Sequence, residues 1–265
     1  MSSQVRVALG ISYNGQPYEG WQSQLSGKTV QDHLEKSLGK FCDRDRVTTL
    51  CAGRTDAGVH GLMQVVHFDT ELDRTPYAWI RGTNSFLPKD IAVQWAQVVP
   101  SSFHCRASAT SRRYAYVLLE SPVRPSVDAG RVGWSFNPLD MDAMRQAAAY
   151  LVGEHDFTSF RASACQALSP IKQLMRIDIQ RRGAYWRFEF EANSFLHHMI
   201  RNIMGCLLAV GQGKQSPAWV LDVLAAKSRD AAAPTFSPDG LYFLGPRYAD
   251  HWGLPDRTPA YDVLP

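Results

Sequence analysis

An α+β fold is predicted for this chain, on three observations. Short segments alternate apolar and polar residues, as half-buried strands do. Between them lie stretches with apolar residues at helical spacing and capping residues at their starts. The order of these elements in the second half resembles that in the first, with helices interleaved among antiparallel-type strands. Two such halves could set their sheets edge to edge and leave a cleft, a common place for a ligand.

Taken in order, Val5, Val7, Leu9 and Ile11 alternate with Arg6, Ala8 and Gly10, which reads as a half-buried strand. Tyr13 to Gly27 is rich in Gly, Gln and Ser and reads as a loop, whose Tyr18 and Trp21 either touch a ligand or pack locally. Thr29 and Asp32 form a capping box, and Val30, Leu34, Leu38 and Phe41 follow at helical spacing. Two strand-like runs, Arg46 to Leu50 and Leu62 to Phe68, flank a turn. Thr75-Pro76 opens a second helix, with Pro at its first position, ending before Leu87-Pro88. Ile91, Val93 and Trp95 form another strand, and Arg112 to Leu119 a further one with Tyr114, Tyr116 and Leu118 on one face.

Glu120 to Pro138 carries Pro122, Pro125, Gly130 and Gly133 without clear periodicity. It is the natural joint, giving an N-terminal half over 1–121, a connecting segment over 122–138 and a C-terminal half over 139–246. In that second half a helix is expected from Asp140 to Val152, and strands over Lys172 to Gln180 and Tyr185 to Glu191. A long helix from Ser194 to Val210 and a shorter one from Pro217 to Lys227 follow, and a last strand begins near Leu241.

The 265 residues are 45% hydrophobic and 20% charged, which places the chain among globular rather than disordered proteins. Its net charge of +3 is a mild hint of a polyanionic partner. Five cysteines, odd in number and widely spaced, form no CxxC pair and read as buried thiols of a reducing compartment. The start, Met1-Ser2-Ser3-Gln4, has no basic run or apolar core of a signal peptide, and no apolar run reaches the ~18 residues that span a bilayer. A cytoplasmic protein is expected.

The stretch Cys51 to Gly61 concentrates the chemistry. Gly53, Gly58 and Gly61 imply a tightly turning backbone. Asp56 sits at its tip with Arg54 two residues before it, and a carboxylate beside a cation stays ionised. Such an Asp can be a nucleophile or a base, or it can merely bond its own turn. In the helix expected from Ser194, His197 and Arg201 are four apart and would share a face. An Arg on a mostly apolar helix either reaches solvent or needs an anionic partner, for which Asp56 is a candidate. His197 and His198, as adjacent helical residues, would point apart and could not chelate one ion, so no metal is expected. Arg112 and Arg113 precede Tyr114 and Tyr116, a pairing suited to phosphates and unpaired bases or to an ordinary core strand. Arg161, Arg176, Arg181, Arg182 and Arg187 read as a solvated surface unless they form a stripe on one face. GxxxxGK[ST], GxGxxG after a strand and GxSxG are all missing, which argues against a nucleotide cofactor and leaves a catalyst without cofactor or metal, or a pure binder.

Gly53-Arg54-Thr55-Asp56-Ala57-Gly58-Val59-His60 resembles the signature loop of the tRNA pseudouridine synthase A (TruA) family. Phe103 to Ser108 followed by Arg113-Tyr114-Ala115-Tyr116, then Asp156 to Phe160, Phe195 to Asn202, and Gly240-Leu241-Tyr242 resemble its later motifs in the right order. Small departures are Gly61, Cys105 and Ser237-Pro238-Asp239, and the tail 247–265 lies outside the resemblance. The resemblance implies two pseudo-symmetric ferredoxin-like (RRM-like) halves with sheets joined around a central basic cleft. It implies an isomerase that breaks the N-glycosidic bond of a uridine and remakes it as a carbon–carbon bond. The substrate would be the anticodon stem-loop of tRNA at positions 38, 39 and 40, in tRNA numbering, with a homodimer as the binding unit and no cofactor or metal. Residue by residue, it implies that Asp56 is the catalytic group and that Arg201 pairs with and orients it. Arg54 would support the flipped nucleotide, Tyr114 would stack on the target base and Leu241 would pack on its other side. Arg54, Arg112, Arg113 and His197 would contact RNA. A non-catalytic tRNA-binding or tRNA-folding protein is the alternative. A glycosidic hydrolase is a second rival, but no second acid accompanies Asp56 in its loop.

Overall fold

A computed structural model describes residues 4–163 and 165–255. The first three residues of the N-terminal stretch and residues 256–265 of the tail set apart in the sequence lie outside the described residues. The main elements run β1 (Val5–Tyr13), α1 (Val30–Phe41), β2 (Leu50–Cys51), β3 (His60–Thr70), α2 (Pro76–Asn84), β4 (Ile91–Val99), β5 (Ala109–Glu120), β6 (Gly133–Ser135), α3 (Met141–Leu151), β7 (Gly153–Asp156), β8 (Ile171–Arg182), β9 (Tyr185–Ala192), α4 (Met199–Gly211), α5 (Trp219–Ala226) and β10 (Leu241–Tyr248). The architecture is α+β. The chain folds as two compact units, one reaching Thr110 and resuming at Tyr242, the other spanning Ser111–Leu241. The Pro- and Gly-bearing segment after Glu120 lies inside the second unit, where β6 pairs in parallel with β5.

In the first unit the strands lie in the order β4-β1-β3, with β2 also against β3 and β10 beyond it. β1 is antiparallel to both β3 and β4, and β10 runs parallel to β3. The local signals behave as their chemistry requires. Thr29 caps α1 by accepting the Asp32 N–H, and Thr75 caps α2 ahead of Pro76. Val7, Leu9 and Ile11 face α1 and α2 and meet Val30, Leu34, Leu38, Phe68 and Trp79 in one core. Tyr18 and Trp21 are buried in that same core, so they pack rather than wait for a ligand. The opposite face is also covered: Ala8, Val65, Trp95, Val99 and Phe103 form a second cluster with Tyr248 and Trp252 against it.

A register shift opposite Gly10 and Ile11 makes β4 change faces. Gly10 pairs with Trp95 but Ile11 pairs with Val93, so Ile91 and Val93 point to the helices while Trp95 points to the other core. Trp95 lies over Gly10, where a Cβ would come within 2.1 Å of its Nε1. Gly10→Ala is therefore expected to overpack this face and lower stability by about 1–3 kcal/mol. Urea unfolding would measure it, and a midpoint equal to the parent's would show that the indole gives way at no cost.

The expected strand over Arg46 to Leu50 is corrected to the two residues of β2. The buried Glu35 carboxylate accepts the Thr49 N–H (2.7 Å) and pairs with Arg46 (2.6 Å), so the segment is tied to α1 by a side chain instead of to β3 by a ladder.

In the second unit the order is β5-β9-β8-β7, antiparallel throughout. α3 packs on β8, α4 and α5. Tyr116, Trp186, Phe188, Phe190, Met144, Ile203 and Leu207 are all within 1% of full burial. β7 and β6 are too short to announce themselves by alternation. The long helix begins at Met199, five residues later than its apolar spacing suggests, because His198 adopts a left-handed backbone (φ 61°).

Candidate active site

The Asp56 loop joins β2 to β3 in the first unit, and its backbone is held at nearly every step. Ala52 N–H donates to Val65 O (2.9 Å), and the buried Gln64 amide bonds both the N–H and the carbonyl of Gly53. Thr55 O accepts the Trp21 N–H (3.0 Å), and Val59 N–H closes the turn onto Asp56 O (3.1 Å). Gly58 supplies the left-handed residue (φ 80°) this turn needs. The expected loop after β1 braces it from behind. A Cβ on Gly15 would strike Val59 O at 1.9 Å, and one on Gly20 would lie 2.8 Å from Thr55 O, so side chains at either position would push the two loops apart. Asp56 is half-buried and Arg54 exposed on this frame.

His60 was not singled out in the sequence, yet it closes the loop's end. It is buried, its Nδ1 accepts the Gly15 N–H (3.1 Å), and its ring stacks on Tyr242 at 4.6 Å.

The other sequence-derived candidates lie in the second unit. Tyr114 on β5 is 8% exposed and meets Phe195 edge-on, with ring centroids 5.1 Å apart. Arg112 donates to Asn193 O (2.9 Å), just before that Phe195 segment. Arg113 is half-buried one residue along. Tyr116 turns inward, its hydroxyl donating to Ser237 O (2.9 Å). Leu241 is buried, and its N–H donates to Pro238 O (2.9 Å). Gly240 ahead of it is required by close approach, since a Cβ there would sit 2.1 Å from Val117 O.

Arg201 lies in the first turn of α4, half-buried. Its Nε donates to Phe236 O (2.8 Å), while Phe236 N–H donates back to Arg201 O (3.1 Å). The neighbouring turn is clamped by buried Asn202, which donates to Phe160 O and accepts from Thr235. The Asp156 to Phe160 motif thus works as a brace. Asp156 caps Thr158, and that bonding holds its carboxyl below the usual range. The expectation that His197 and Arg201 share a helical face is corrected, because His197 precedes the helix in an exposed turn. Nor do His197 and His198 point apart as adjacent helical residues would: their ring centroids are 4.0 Å apart.

The second-half arginines do not form a bare phosphate stripe. Arg176 and Arg187 share Glu189, and Arg181 pairs with Glu120. Of the five thiols, none bonded to another, Cys165 alone is half-exposed and the rest are buried. Among the described residues no helix is long and apolar enough to cross a membrane.

His67, His104 and Cys105 bring one donor atom each within 4.8 Å of one another. His67 Nδ1 accepts the Cys105 N–H, and His104 Nδ1 accepts those of Arg106 and Ala107. These bonds already occupy the Nδ1 lone pair of each ring, which is not free for an ion. Burial also pushes the Cys105 thiol up to about 12. The trio is a hydrogen-bonded corner.

Burial, with Arg6 adding to it, pulls the His67 imidazole from 6.5 to about 4. Because the folded value lies below the unfolded one, its stabilising effect is complete above about pH 6.5 and is lost as pH falls toward 4, by up to about 3 kcal/mol. His67→Gln should therefore lose less stability than the parent between pH 7 and pH 5 in thermal unfolding. Equal losses in the two proteins would rule out His67 as the source.

The family of tRNA pseudouridine synthases matches residues 11–106 and 147–249, about three quarters of the chain. The chain is 73% identical over 261 residues to the tRNA pseudouridine synthase A of Albidiferax ferrireducens, covering 98% of this chain and 100% of that one. It is 71% identical to that of a Polaromonas species and 67% to that of Delftia acidovorans, with the same coverage. The chain belongs to the tRNA pseudouridine synthase A family.

Proposed function

We propose that this chain converts uridine to pseudouridine at positions 38, 39 and 40 of the tRNA anticodon stem-loop, with Asp56 as the catalytic group. Activity as a tRNA pseudouridine synthase rests on the family membership. The single structural observation that supports Asp56 is its place on a loop whose backbone is bonded at Ala52, Gly53, Thr55 and Val59. A group held this stiffly keeps its geometry without reorganising during reaction.

The reaction balances without a second reactant. The N1–C1′ bond breaks, the uracil turns, C5 bonds to C1′, and the proton lost from C5 is matched by one gained at N1. Asp56 serves by attacking the ring or the sugar carbon, or by removing a sugar proton. In this reading Arg201 supplies the guanidinium that keeps the acid ionised and directed. Arg54 takes the place of, or supports, the flipped nucleotide, whose extrusion costs a few kcal/mol. Tyr114 stacks on the base and aids removal of the C5 proton, and Leu241 packs on the base. Arg112, Arg113 and His197 hold the RNA.

The strand order β4-β1-β3-β2 with α1 and α2 as its crossovers supports reading the first unit as a ferredoxin-like half, and the antiparallel β5-β9-β8 set with α3 and α4 supports the same for the second. A homodimer with tRNA lying across both subunits belongs to this proposal.

Incubation with unmodified tRNA transcript and mapping of pseudouridine tests the reading. Product at 38–40 supports it, product elsewhere corrects the positions, and tRNA binding without product would favour the non-catalytic alternative.

A further inference from the structure

Beneath the Asp56 loop lies a buried polar group with no part in the scheme above. Tyr13 ends β1 and is 5% exposed, yet it carries a hydroxyl. That hydroxyl lies 2.8 Å from the Thr55 Oγ1, and Thr55 is itself 7% exposed and immediately precedes Asp56. Burial pushes the phenol well above its usual range, so at neutral pH it is an uncharged hydrogen-bonding group.

The fold makes a special arrangement to bring Tyr13 there. β1 and β3 pair regularly as far as Ile11 and Gln64, then slip, so that Tyr13 comes opposite Gly61. Without that bulge the side chain would be directed elsewhere, since such irregularities re-aim side chains. The ring then lies on Gly61, where a Cβ would come within 2.5 Å of Tyr13 Cε1. Gly61 is therefore the floor on which the ring rests.

The remaining freedom of the loop is small. Gly53 is fixed by Gln64, the Thr55 carbonyl by Trp21, and the Asp56 carbonyl by Val59. The Thr55 side chain is a further lever on the backbone that carries Asp56.

We infer that the Tyr13 hydroxyl, acting through Thr55, is a positioning group for the Asp56 carboxylate. It never touches substrate. It sets the direction from which the acid approaches, and a displacement of even ~1 Å at a reacting group costs up to about a hundredfold in rate. This inference rests on the reading that Asp56 is the catalytic group.

The test is steady-state pseudouridine formation on unmodified tRNA transcript by Tyr13→Phe, Thr55→Val, Thr55→Ser and the Tyr13→Phe/Thr55→Val double variant, with Asp56→Asn alongside. Tyr13→Phe keeps the ring on Gly61 and removes only the hydroxyl. It and Thr55→Val are each expected to lower kcat about tenfold or more, with KM for tRNA within about twofold of the parent. Thr55→Ser, which restores the hydroxyl, should recover most of the kcat lost in Thr55→Val. The double variant should lose little more than Tyr13→Phe alone, since that change already breaks the contact with Thr55, together with the phenol's bond to Gln64.

A Tyr13→Phe protein with the parent's kcat, a loss that falls on KM, or a Thr55→Ser protein as slow as Thr55→Val would overturn the inference. Should Tyr13→Phe fail to fold, the Thr55→Val and Thr55→Ser pair decides. An active Asp56→Asn removes the catalytic reading and the strut with it. A silent Asp56→Asn beside a fully active Tyr13→Phe removes only the strut.

Discussion

Asp56→Asn is expected to bind tRNA and form no measurable pseudouridine. The substitution keeps size and shape but removes the charge on which either attack or proton removal depends. It should leave the fold intact, because the Asp56 carbonyl and the bonds at Gly53, Thr55 and Val59 shape the loop. On the reading that Asp56 is the catalytic group, its loss costs on the order of 10⁴-fold or more in turnover. The readout is release of label from uridine C5, paired with a tRNA-binding isotherm and a thermal midpoint. Turnover near the parent's at an unchanged midpoint would end the assignment of Asp56.

Arg201→Met is expected to lose about a hundredfold in turnover, the scale on which removing one charge-stabilising donor acts. Methionine keeps the apolar stem in the first turn of α4. The reciprocal bond from Phe236 N–H to the Arg201 carbonyl survives, and the Nε bond to Phe236 O is lost, which by itself costs about 1 kcal/mol of stability. A fall in kcat much larger than that stability change allows would identify the guanidinium as part of the chemistry. Arg201→Lys should fall between the two, since it keeps the charge but not the planar fork. Full turnover in Arg201→Met would leave the residue as a tie between α4 and the segment at Phe236.

Local sequence signals carry where the residues that act together are close in the chain. The Thr29–Asp32 cap and the Pro76 start were legible because a cap involves residues three positions apart. The Asp56 loop was legible because its glycines and its acid are contiguous. Helix α4 shows a limit. Leu196, Ile200, Ile203 and Leu207 keep helical spacing across the boundary, but His198 turns left-handed, and periodicity cannot register a single backbone angle. Arg46 to Leu50 shows another: its residues suit a strand, yet the acid that captures the Thr49 N–H stands fourteen positions earlier on α1.

By itself the sequence determined the class of fold, the caps and most strands, the family, and the residues Asp56, Arg54, Tyr114 and Arg201 as the ones to test. Each of those rests on neighbours a few positions apart or on a contiguous motif. Only the tertiary structure decided that Tyr13 bonds Thr55, that Gln64 holds Gly53, that His60 locks the loop onto Gly15, and that β4 changes faces at Trp95. Those contacts join residues far apart in the chain, and the register between paired strands sets them. A slip of one position there redirects every side chain beyond it.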